Sequence, residues 1–483
     1  MRSAAPIPAF ALGFGFMRAW ALTFLSKSGV VLPLSMLTEG TLLVFAPIFV
    51  VSTAVVARGA LQHRVRLLSR PCVVVMAATL VAGSLLMGAG ERLTLFIGEA
   101  LGALGFSLLL LQWGDASSRV SHRRLLSSLM VGFVVAGALC LGASFASVAG
   151  KAAVFAAYPV ATGACLLSLA SSTLRKGGRL DYDALGSGSL AAERWAGGGR
   201  QLLARLAVAL FAMELVARST LMLSGEYCVR VLDYPSWSFE MARFLGTVVA
   251  AAVFFALDRL AKQPLRTLYA LVPSTLVCSC LFVHFGGLGI PYVTYAIAFT
   301  AGAWLEAAFW VFFSHSCTAV GKPPIFVWSV GRIAFWASTF VGIALWSAQA
   351  AAFDGGIVSD GGALTTLVVL MALGVVLVYT LVLPGEKIAA ISILRDRELE
   401  TRKAFKDMES TIVAVADRAG LSPREREVFA MLAHGRDTAY IQERLFISQG
   451  TVRSHRDRIY RKLNVHSKQE LLDLVEREFA AKG

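Results

Sequence analysis

Residues 421–428 read LSPREREV, and this short stretch marks the start of a helix. Ser422 is a favoured N-cap residue, Pro423 suits the first helical position, and Glu425 stands three residues after the cap. In this capping box the serine hydroxyl and the glutamate carboxylate each accept a hydrogen bond from a backbone N–H at the helix start. The pattern predicts a helix that begins at Pro423 and is closed by Gly435.

Three more helices are predicted after it, before the end of the chain at residue 483. Asp437 can cap a second helix, and Ser448 a third that runs from Gln449 to about Leu463. Ser467 and Glu470 repeat the capping-box pattern and start a fourth. Four short capped helices predict a compact unit, in which the turn 446–448 joins the second and third helices as a helix-turn-helix.

The predicted third helix is strongly basic. It carries five cations and one acid: Arg453, Arg456, Arg458, Arg461, Lys462 and Asp457. A helix that reads DNA needs cations for the phosphates and two or three side chains for base edges. The alternative is a solvated basic face with no partner. Because the caps, the spacing and the turn coincide, we favour DNA recognition.

Over about residues 421–476 the chain resembles the LuxR/GerE-type helix-turn-helix family. The residues that carry the resemblance are Leu421, Ser422, Arg424, Glu425, Glu427, Val428, Leu432, Gly435, Ile441, Leu445, Ile447, Ser448, Thr451, Val452, His455, Ile459, Lys462, Leu463, Val465, Ser467 and Glu470. Gln442 departs from the family, which usually has a small alanine there, so its amide must point outward or open the helix packing slightly.

The resemblance implies roles on the third helix. Arg453 and Ser454 should face bases, and an arginine can bind guanine through two hydrogen bonds. Thr451, His455 and either Arg458 or Arg461 should hold phosphate. Asp457 and Lys462 complete the DNA-binding candidates. Asp457 is a departure, because relatives often have a basic or neutral residue at this DNA-facing position.

The chain before this unit has the composition of a membrane protein. Of its 483 residues 57% are hydrophobic and 16% charged, and the mean hydropathy is +0.67. A membrane-spanning helix needs about 20 apolar residues. Twelve spans are predicted, at residues 8–27, 37–57, 71–90, 93–112, 126–148, 152–174, 201–223, 241–258, 268–286, 290–313, 325–348 and 363–383.

The distribution of positive charge predicts the orientation. With the N-terminus in the cytoplasm, the inner side holds 17 Lys or Arg residues and the outer loops hold five: Lys27, Arg92, Lys151, Arg230 and Arg243. Cytoplasmic loops carry such an excess. An even number of spans also returns the C-terminal unit to the cytoplasm, where DNA is found. The prediction is a multi-pass protein of the bacterial cytoplasmic membrane with both termini inside.

The longest inner loop, about residues 175–200, is rich in Gly and Ser and divides the spans into six plus six. A flexible hinge between two bundles fits this composition. The layout resembles the major facilitator superfamily. The predicted fold class is therefore all-α: residues 1–384 form a polytopic helix bundle, residues 385–420 a helical linker, and residues 421–483 a small four-helix LuxR-type domain.

The linker contains a short apolar seam. Phe405, Met408, Ile412 and Val415 follow one another at steps of three, four and three residues. This spacing fits either a dimeric signalling helix or a connector that packs on the C-terminal unit, and it favours the connector.

Ionisable residues within the predicted spans are candidates for ligand sensing, because burying charge in a membrane is expensive. They are Arg18, Glu99, Glu214, Arg218, Glu306 and Arg332. Two interpretations stay open. Either Glu306 with Arg332 and Arg18 with Glu214 form structural ion pairs, or some of these residues line a ligand pocket between the halves.

The favoured function is a membrane-bound one-component transcriptional regulator. Its partners would be double-stranded DNA, the lipid bilayer, an unknown small molecule and a second copy of the chain on DNA. The alternative is a solute transporter with a regulatory DNA-binding tail. An enzyme is disfavoured because metal-binding, nucleophile and phosphate-loop motifs are lacking, and no cofactor is predicted. The last cysteine is Cys317, which argues against a zinc finger in the C-terminal unit.

Overall fold

The computed structural model describes residues 7–26, 40–62, 69–89, 91–175, 198–232, 236–260, 264–285, 291–354, 370, 372–378 and 408–480. The chain divides into two compact units, Met1–Arg395 and Asp396–Gly483. Regular structure in the described ranges is helical throughout, which confirms the all-α prediction.

Eleven long helices lie in the described part of the first unit. They are α1 (Pro8–Ser26), α2 (Ala46–Leu61, preceded by a π-helical turn at Thr41–Phe45), α3 (Arg70–Met87), α4 (Arg92–Ser117), α5 (His122–Ser144), α6 (Val148–Arg175), α7 (Arg200–Leu232), α8 (Ser236–Leu260), α9 (Pro264–Phe285), α10 (Pro291–His315) and α11 (Pro324–Asp354). They correspond in order to the first eleven predicted spans. The twelfth span lies mostly outside the described residues, although residues 372–378 are helical.

Nine of the helices in the described part of the chain are long and apolar enough to cross a membrane, namely α1–α6, α8, α10 and α11. The short apolar stretch Ala270–Phe282 lies within α9. Many large hydrophobic side chains on these helices face outward, among them Leu43, Val51 and Val55. Exposed apolar side chains on long apolar helices are what a lipid environment requires. The first unit is therefore a multi-pass membrane domain.

The helix contacts of this domain repeat after six helices. In the first half α1 packs on α5, α2 on α4, and α3 on α4. In the second half α7 packs on α11, α8 on α10, and α9 on α10. The halves meet where α2 packs on α11 and where α5 packs on α8. Since α2 is equivalent to α8 and α5 to α11, these two contacts are equivalent to each other. The domain thus has an internal two-fold pseudo-symmetry, with α1 and α7 in equivalent positions.

Glycines allow a close approach of two helices, α3 and α4. A Cβ atom on Gly83 of α3 would lie 2.6 Å from the backbone nitrogen of Gly102 and 2.8 Å from the carbonyl oxygen of Gly98. Membrane helices pack closely through small residues four apart, because lipid supplies no hydrophobic driving force between them. The Gly98–Gly102 pair gives α4 such a surface.

Residues 408–480 of the second unit contain five helices, α12 (408–418), α13 (Pro423–Ala433), α14 (Thr438–Leu445), α15 (Gln449–Leu463) and α16 (Lys468–Ala480). They enclose a core of their own, which includes Ile412, Val428, Ile441, Val452 and Leu471. Phe446, with a φ of 53°, ends α14 and opens the turn that leads to α15.

The predicted helix caps are present. Ser422 and Glu425 form both bonds of the capping box, Asp437 accepts a hydrogen bond from the Tyr440 N–H, and Ser448 accepts one from the Thr451 N–H. The fourth cap differs in one detail. The Ser467 hydroxyl accepts from the Glu470 N–H as predicted, but the Glu470 carboxylate accepts from the backbone of His466, one residue earlier than a capping box requires.

Helix α12 is part of the C-terminal unit. Ile412 and Val415 are buried in its core, and Met408 packs against that core. Arg418 forms two hydrogen bonds with the Glu478 carboxylate of α16, at 3.0 and 2.9 Å. The apolar seam is thus occupied within one chain, as the connector interpretation requires. Phe405, the first residue of the seam, lies outside the described residues.

Candidate ligand site and candidate nucleic-acid interface

An ion pair joins the two halves of the membrane domain. Arg18 of α1 places Nη2 2.6 Å from Oε2 of Glu306 on α10, and both side chains are at least nine-tenths buried. The predicted partner of Glu306 was Arg332, so this part of the prediction is wrong. The physical reason is the bundle packing, which brings the first helix to the tenth at this depth.

A second ion pair lies within α7. The Arg218 Nε donates a hydrogen bond to the Glu214 carboxylate at 2.6 Å, and both residues are buried. The predicted partner of Glu214 was Arg18, which the structure contradicts. Residues four apart on a helix are neighbours on its surface, so Arg218 reaches Glu214 without any contribution from the tertiary fold.

Arg332 of α11 lies among aromatic rings. Its guanidinium carbon is 4.6 Å from the ring centre of Trp310, 4.7 Å from that of Trp328 and 5.0 Å from that of Phe335. Within the described residues its Nε and Nη2 have no hydrogen-bond partner. The π faces of the rings therefore solvate a buried cation.

Arg243 was missed by the sequence reasoning, which counted it among the outer loops. The structure places it within α8, 6% exposed, where Nη1 donates to the Glu240 carboxylate at 2.8 Å. Its guanidinium carbon lies 4.9 Å from the ring centre of Phe299. The available signal was the spacing of Glu240 and Arg243, three residues apart at the start of a helix.

A small cavity is lined by most of these charged residues. Arg18, Glu214, Arg218 and Arg243 line it from α1, α7 and α8, and apolar residues of α5 and α10 complete the wall. Its volume is about 20 Å³, which is space for about one water molecule. Both halves contribute, so the cavity lies between them.

Three predicted sensing residues, Glu99, Glu306 and Arg332, are not among the residues that line the cavity. Glu99 is fully buried on α4, where its carboxylate accepts a hydrogen bond from the Thr41 hydroxyl at 3.4 Å. Glu306 contacts the lining through its ion pair with Arg18.

Contacts between the halves close the end of the bundle that holds the α4–α5 turn. The hydroxyls of Ser117 and Ser314 lie 2.8 Å apart, linking α4 to α10. Arg123 of α5 forms an ion pair with Asp258 of α8 at 3.2 Å.

Aromatic contacts join the halves towards the opposite end. The ring centres of Phe145 and Trp237 are 6.4 Å apart, and those of Phe49 and Trp336 are 5.4 Å apart. The two halves of the membrane domain therefore contact each other towards both ends of the described bundle.

Helix α15 of the second unit is the basic helix that the sequence predicted as the third of residues 421–483, and one of its faces is exposed. Val452 and Ile459 are buried in the core. The exposed side chains are Gln449, Thr451, Arg453, Ser454, Asp457, Arg458, Arg461 and Lys462. Gln442 on α14 is exposed as well, so its amide points outward.

Two predicted DNA-binding residues of α15 have distinct surroundings. His455 is half-buried, and its Nδ1 has no hydrogen-bond partner among the described residues. Asp457 accepts two hydrogen bonds from Arg456, at 2.9 and 2.7 Å, so its charge is balanced by its neighbour.

Comparison with known proteins agrees with this geometry. Residues 419–475 match the family described as "GerE: Bacterial regulatory proteins, luxR family". A bacterial homologue of the iron transporter ferroportin, in an outward-facing state, aligns with a TM-score of 0.52 and 13% identity over 82% of this chain and 100% of its own. The major facilitator superfamily proton:xylose symporter XylE aligns with a TM-score of 0.52 and 14% identity, over 80% of this chain and 97% of its own.

A luxR-type helix-turn-helix is fused to a major-facilitator-like membrane domain. At these identities the structural likeness establishes the fold of the membrane domain. No curated protein sequence matches the chain.

Within the luxR-type module, Lys462 stands apart from the other cations of α15. Its Nζ donates hydrogen bonds to the Glu425 carboxylate at 2.7 Å and to the Gly420 carbonyl at 3.0 Å. This side chain ties the last turn of α15 to the first turn of α13. Its charge is therefore engaged inside the module.

The same bond acts on Glu425. The hydrogen bond from Lys462 and a second from the Ser422 backbone N–H lower the pKa of the Glu425 carboxyl from 4.5 to about 2. The capping box and the α13–α15 contact thus share one ionised carboxylate.

Proposed function

We propose that the protein is a membrane-bound transcriptional regulator of one component. A small molecule binds in the membrane domain, and the luxR-type module binds promoter DNA. One observation carries the proposal. The same chain contains an exposed basic helix and a helix bundle, and both halves of the bundle line a cavity with buried charged residues. The proposal assigns no chemical reaction to the chain.

Ligand binding would act by changing how the two halves meet. Arg18 and Glu306 belong to opposite halves, and so do Ser117 and Ser314. A ligand that prefers one arrangement of the halves shifts the population towards it. Because α12 is fixed to the module, a displacement of the chain ahead of residue 408 would be transmitted to the module without being absorbed by α12.

Promoter binding would require two modules. One short recognition helix makes few base contacts, and pairing on two half-sites raises the affinity by linkage. We therefore propose that two chains act together on DNA, with the residues for base contact at Arg453 and Ser454. Thr451, His455, Arg458 and Arg461 are proposed to hold phosphate.

The proposal needs the module and the DNA in the same compartment. We propose a bacterial cytoplasmic membrane with both chain termini in the cytoplasm, supported by the excess of basic residues in the loops predicted to be cytoplasmic. A C-terminal fusion to an enzyme that folds only outside the cytoplasm should be inactive. Activity of that fusion would contradict the proposal.

A promoter reporter in a bacterial host tests the function directly. The full chain should change reporter output from the promoter that it recognises, and Arg453→Ala should abolish the change. Arg477→Ala is the matched control, because Arg477 is an exposed cation on α16 that bonds to the Asp473 carbonyl in its own helix. Equal behaviour of the two variants would refute the role of α15.

The second candidate function is a solute transporter with a regulatory tail. Contacts between the halves towards both ends of the bundle favour it, since a carrier must open each end in turn. Counterflow in proteoliposomes separates the two functions. Saturable exchange of a bound solute supports the transporter, whereas binding without exchange supports the sensor.

A further inference from the structure

The cavity of the membrane domain is lined by three guanidinium groups from three helices. Arg18 comes from α1, Arg218 from α7 and Arg243 from α8, and none is more than 9% exposed. Three cations converging on one small space repel one another unless anions lie close by. The chain itself supplies one carboxylate to the lining, from Glu214.

The ion pairs of the cluster leave hydrogen-bond donors of two arginines without a partner in the described part of the chain. Glu306, Glu214 and Glu240 each face one of the three arginines. Even so, Nε of Arg18 and Nε of Arg243 are buried without a hydrogen-bond partner in the described part of the chain. Buried donors in this condition are costly, and one explanation is a ligand that satisfies them when bound.

Apart from these charged residues and Thr247, the lining is apolar. Arg18 lies over the ring of Phe133 at 5.8 Å and Arg243 over that of Phe299 at 4.9 Å, so aromatic rings back two of the guanidinium groups. Leu22 and Leu221 add aliphatic surface. A ligand suited to this wall has an anionic head for the arginines and an apolar body.

We propose that the membrane domain binds a small organic carboxylate whose anionic group lies between Arg18, Arg218 and Arg243. This inference rests on the proposed sensing function and names the chemical class of its ligand. Arginine is suited to the role, because its planar fork of N–H donors matches the two oxygens of a carboxylate.

The size of the cavity links binding to a change of conformation. The 20 Å³ present is too small for a carboxylate with an apolar body. Binding must therefore widen the space between α1 and α5 of the first half and α7, α8 and α10 of the second. The ligand thus favours an arrangement in which the halves are further apart, which is the differential affinity that a switch needs.

The test uses the full-length protein purified in detergent at constant ionic strength. The probes are acetate, butyrate, benzoate and phenylacetate, each compared with its neutral amide. The readouts are the thermal unfolding midpoint and tryptophan fluorescence. At least one carboxylate should raise the midpoint saturably, because a ligand that binds only the folded state stabilises it. Its amide should require at least about tenfold higher concentration, since it lacks the charge that strengthens bonds to arginine.

Two variants locate the binding. Gly302 lines the cavity, and a Cβ atom at this position would meet no other atom within 4 Å, so Gly302→Val should fill the space without a clash. It should abolish the response to carboxylates while the protein still folds. Gly142→Val is the matched control on α5, because Gly142 is equally free of neighbours and does not line the cavity. The double variant Glu240→Gln/Arg243→Gln removes one cation without stranding its partner and should weaken binding by about tenfold or more.

The outcomes separate this inference from the proposed function. If amides and carboxylates act equally, or if no carboxylate acts, the ligand class is wrong and the sensing function can still hold for another ligand. A response that survives in Gly302→Val overturns the location. If carboxylates bind at this site and reporter output ignores them, the inference stands and the proposed function fails.

Discussion

The Arg18 guanidinium lies 2.6 Å from the Glu306 carboxylate and so joins the first helix of one half to the fourth helix of the other. Both groups are buried, where the attraction between charges is strong and the cost of removing either partner is high. Any rearrangement that separates α1 from α10 must break this pair or supply new partners. The pair is therefore a point at which ligand binding and the arrangement of the halves can affect each other.

Replacing Glu306 should destabilise the membrane domain. Glu306→Gln leaves the Arg18 charge buried without its counter-ion, and breaking a buried pair in this way costs about 3–5 kcal/mol. The thermal unfolding midpoint of the purified full-length protein should fall. The double variant Arg18→Met/Glu306→Leu should lose less than Glu306→Gln alone, because no charge remains buried. If the double variant lost as much stability as Arg18→Met and Glu306→Leu together, each measured alone, the two residues would not interact.

Arg453 and Arg461 should differ in how their loss affects DNA binding. Arg453→Ala should reduce discrimination between operator variants by about 1–3 kcal/mol, because a base contact is lost. Arg461→Ala should weaken binding to all sequences and reduce the salt dependence by about one counter-ion, because a phosphate contact is lost. Titrations of specific and unrelated DNA at several salt concentrations measure both. Identical effects on specificity would contradict the separate roles.

Lys462 should behave as a stabilising residue although it lies beside Arg461 on the same helix. Lys462→Ala removes the bonds to the Glu425 carboxylate and the Gly420 carbonyl, and hydrogen bonds to charged groups contribute about 1.5–3 kcal/mol. The unfolding midpoint of the module should fall, whereas the salt dependence of DNA binding should change less than in Arg461→Ala. A salt dependence reduced as much as in Arg461→Ala would assign Lys462 to phosphate binding.

The module should lose stability in acid through Glu425. The pKa of Glu425 in the folded module is about 2, below the ordinary 4.5. The ionised carboxylate therefore gives its full contribution to the stability of the module above pH 4.5, and this contribution declines as the pH falls towards 2. Residues 396–483 form a compact unit with their own core, so this fragment can be followed by circular dichroism. Glu425→Gln should flatten the fall of the midpoint between pH 5 and 3, roughly the window of the shift. Glu427→Gln, which alters an exposed carboxylate paired with Arg424, should not.

The α3–α4 contact should tolerate no side chain at Gly83. A Cβ there would lie 2.6 Å from the Gly102 backbone nitrogen, so Gly83→Ala must force the helices apart at a cost of about 1–3 kcal/mol. The yield of folded protein and its unfolding midpoint should both fall. Gly142→Ala serves as the control, because its Cβ would meet nothing within 4 Å. Equal stability of both variants would show that the helices can shift freely.

Much of the candidate DNA interface could be predicted from sequence because it rests on local chemistry. Ser422, Asp437 and Ser448 cap helices through bonds to N–H groups three residues away, so their effect is visible in a short stretch. The ion pair between Glu214 and Arg218 is also local, because it joins neighbouring turns of one helix. The sequence prediction nevertheless paired Glu214 with Arg18, which was wrong. Lys462 could not be separated from Arg461, because its partners Gly420 and Glu425 are distant in sequence.

The amino-acid sequence by itself determined which segments are helical, which are apolar enough to lie in a membrane, and where the short helices begin. Periodicity, hydropathy and capping act over fewer than about 20 neighbouring residues. Only the tertiary structure decided that Arg18 meets Glu306, that Arg332 lies among aromatic rings, and that Arg243 lines the cavity. Such pairings depend on the rotation and depth of helices that are far apart along the chain, and no local pattern encodes those two quantities.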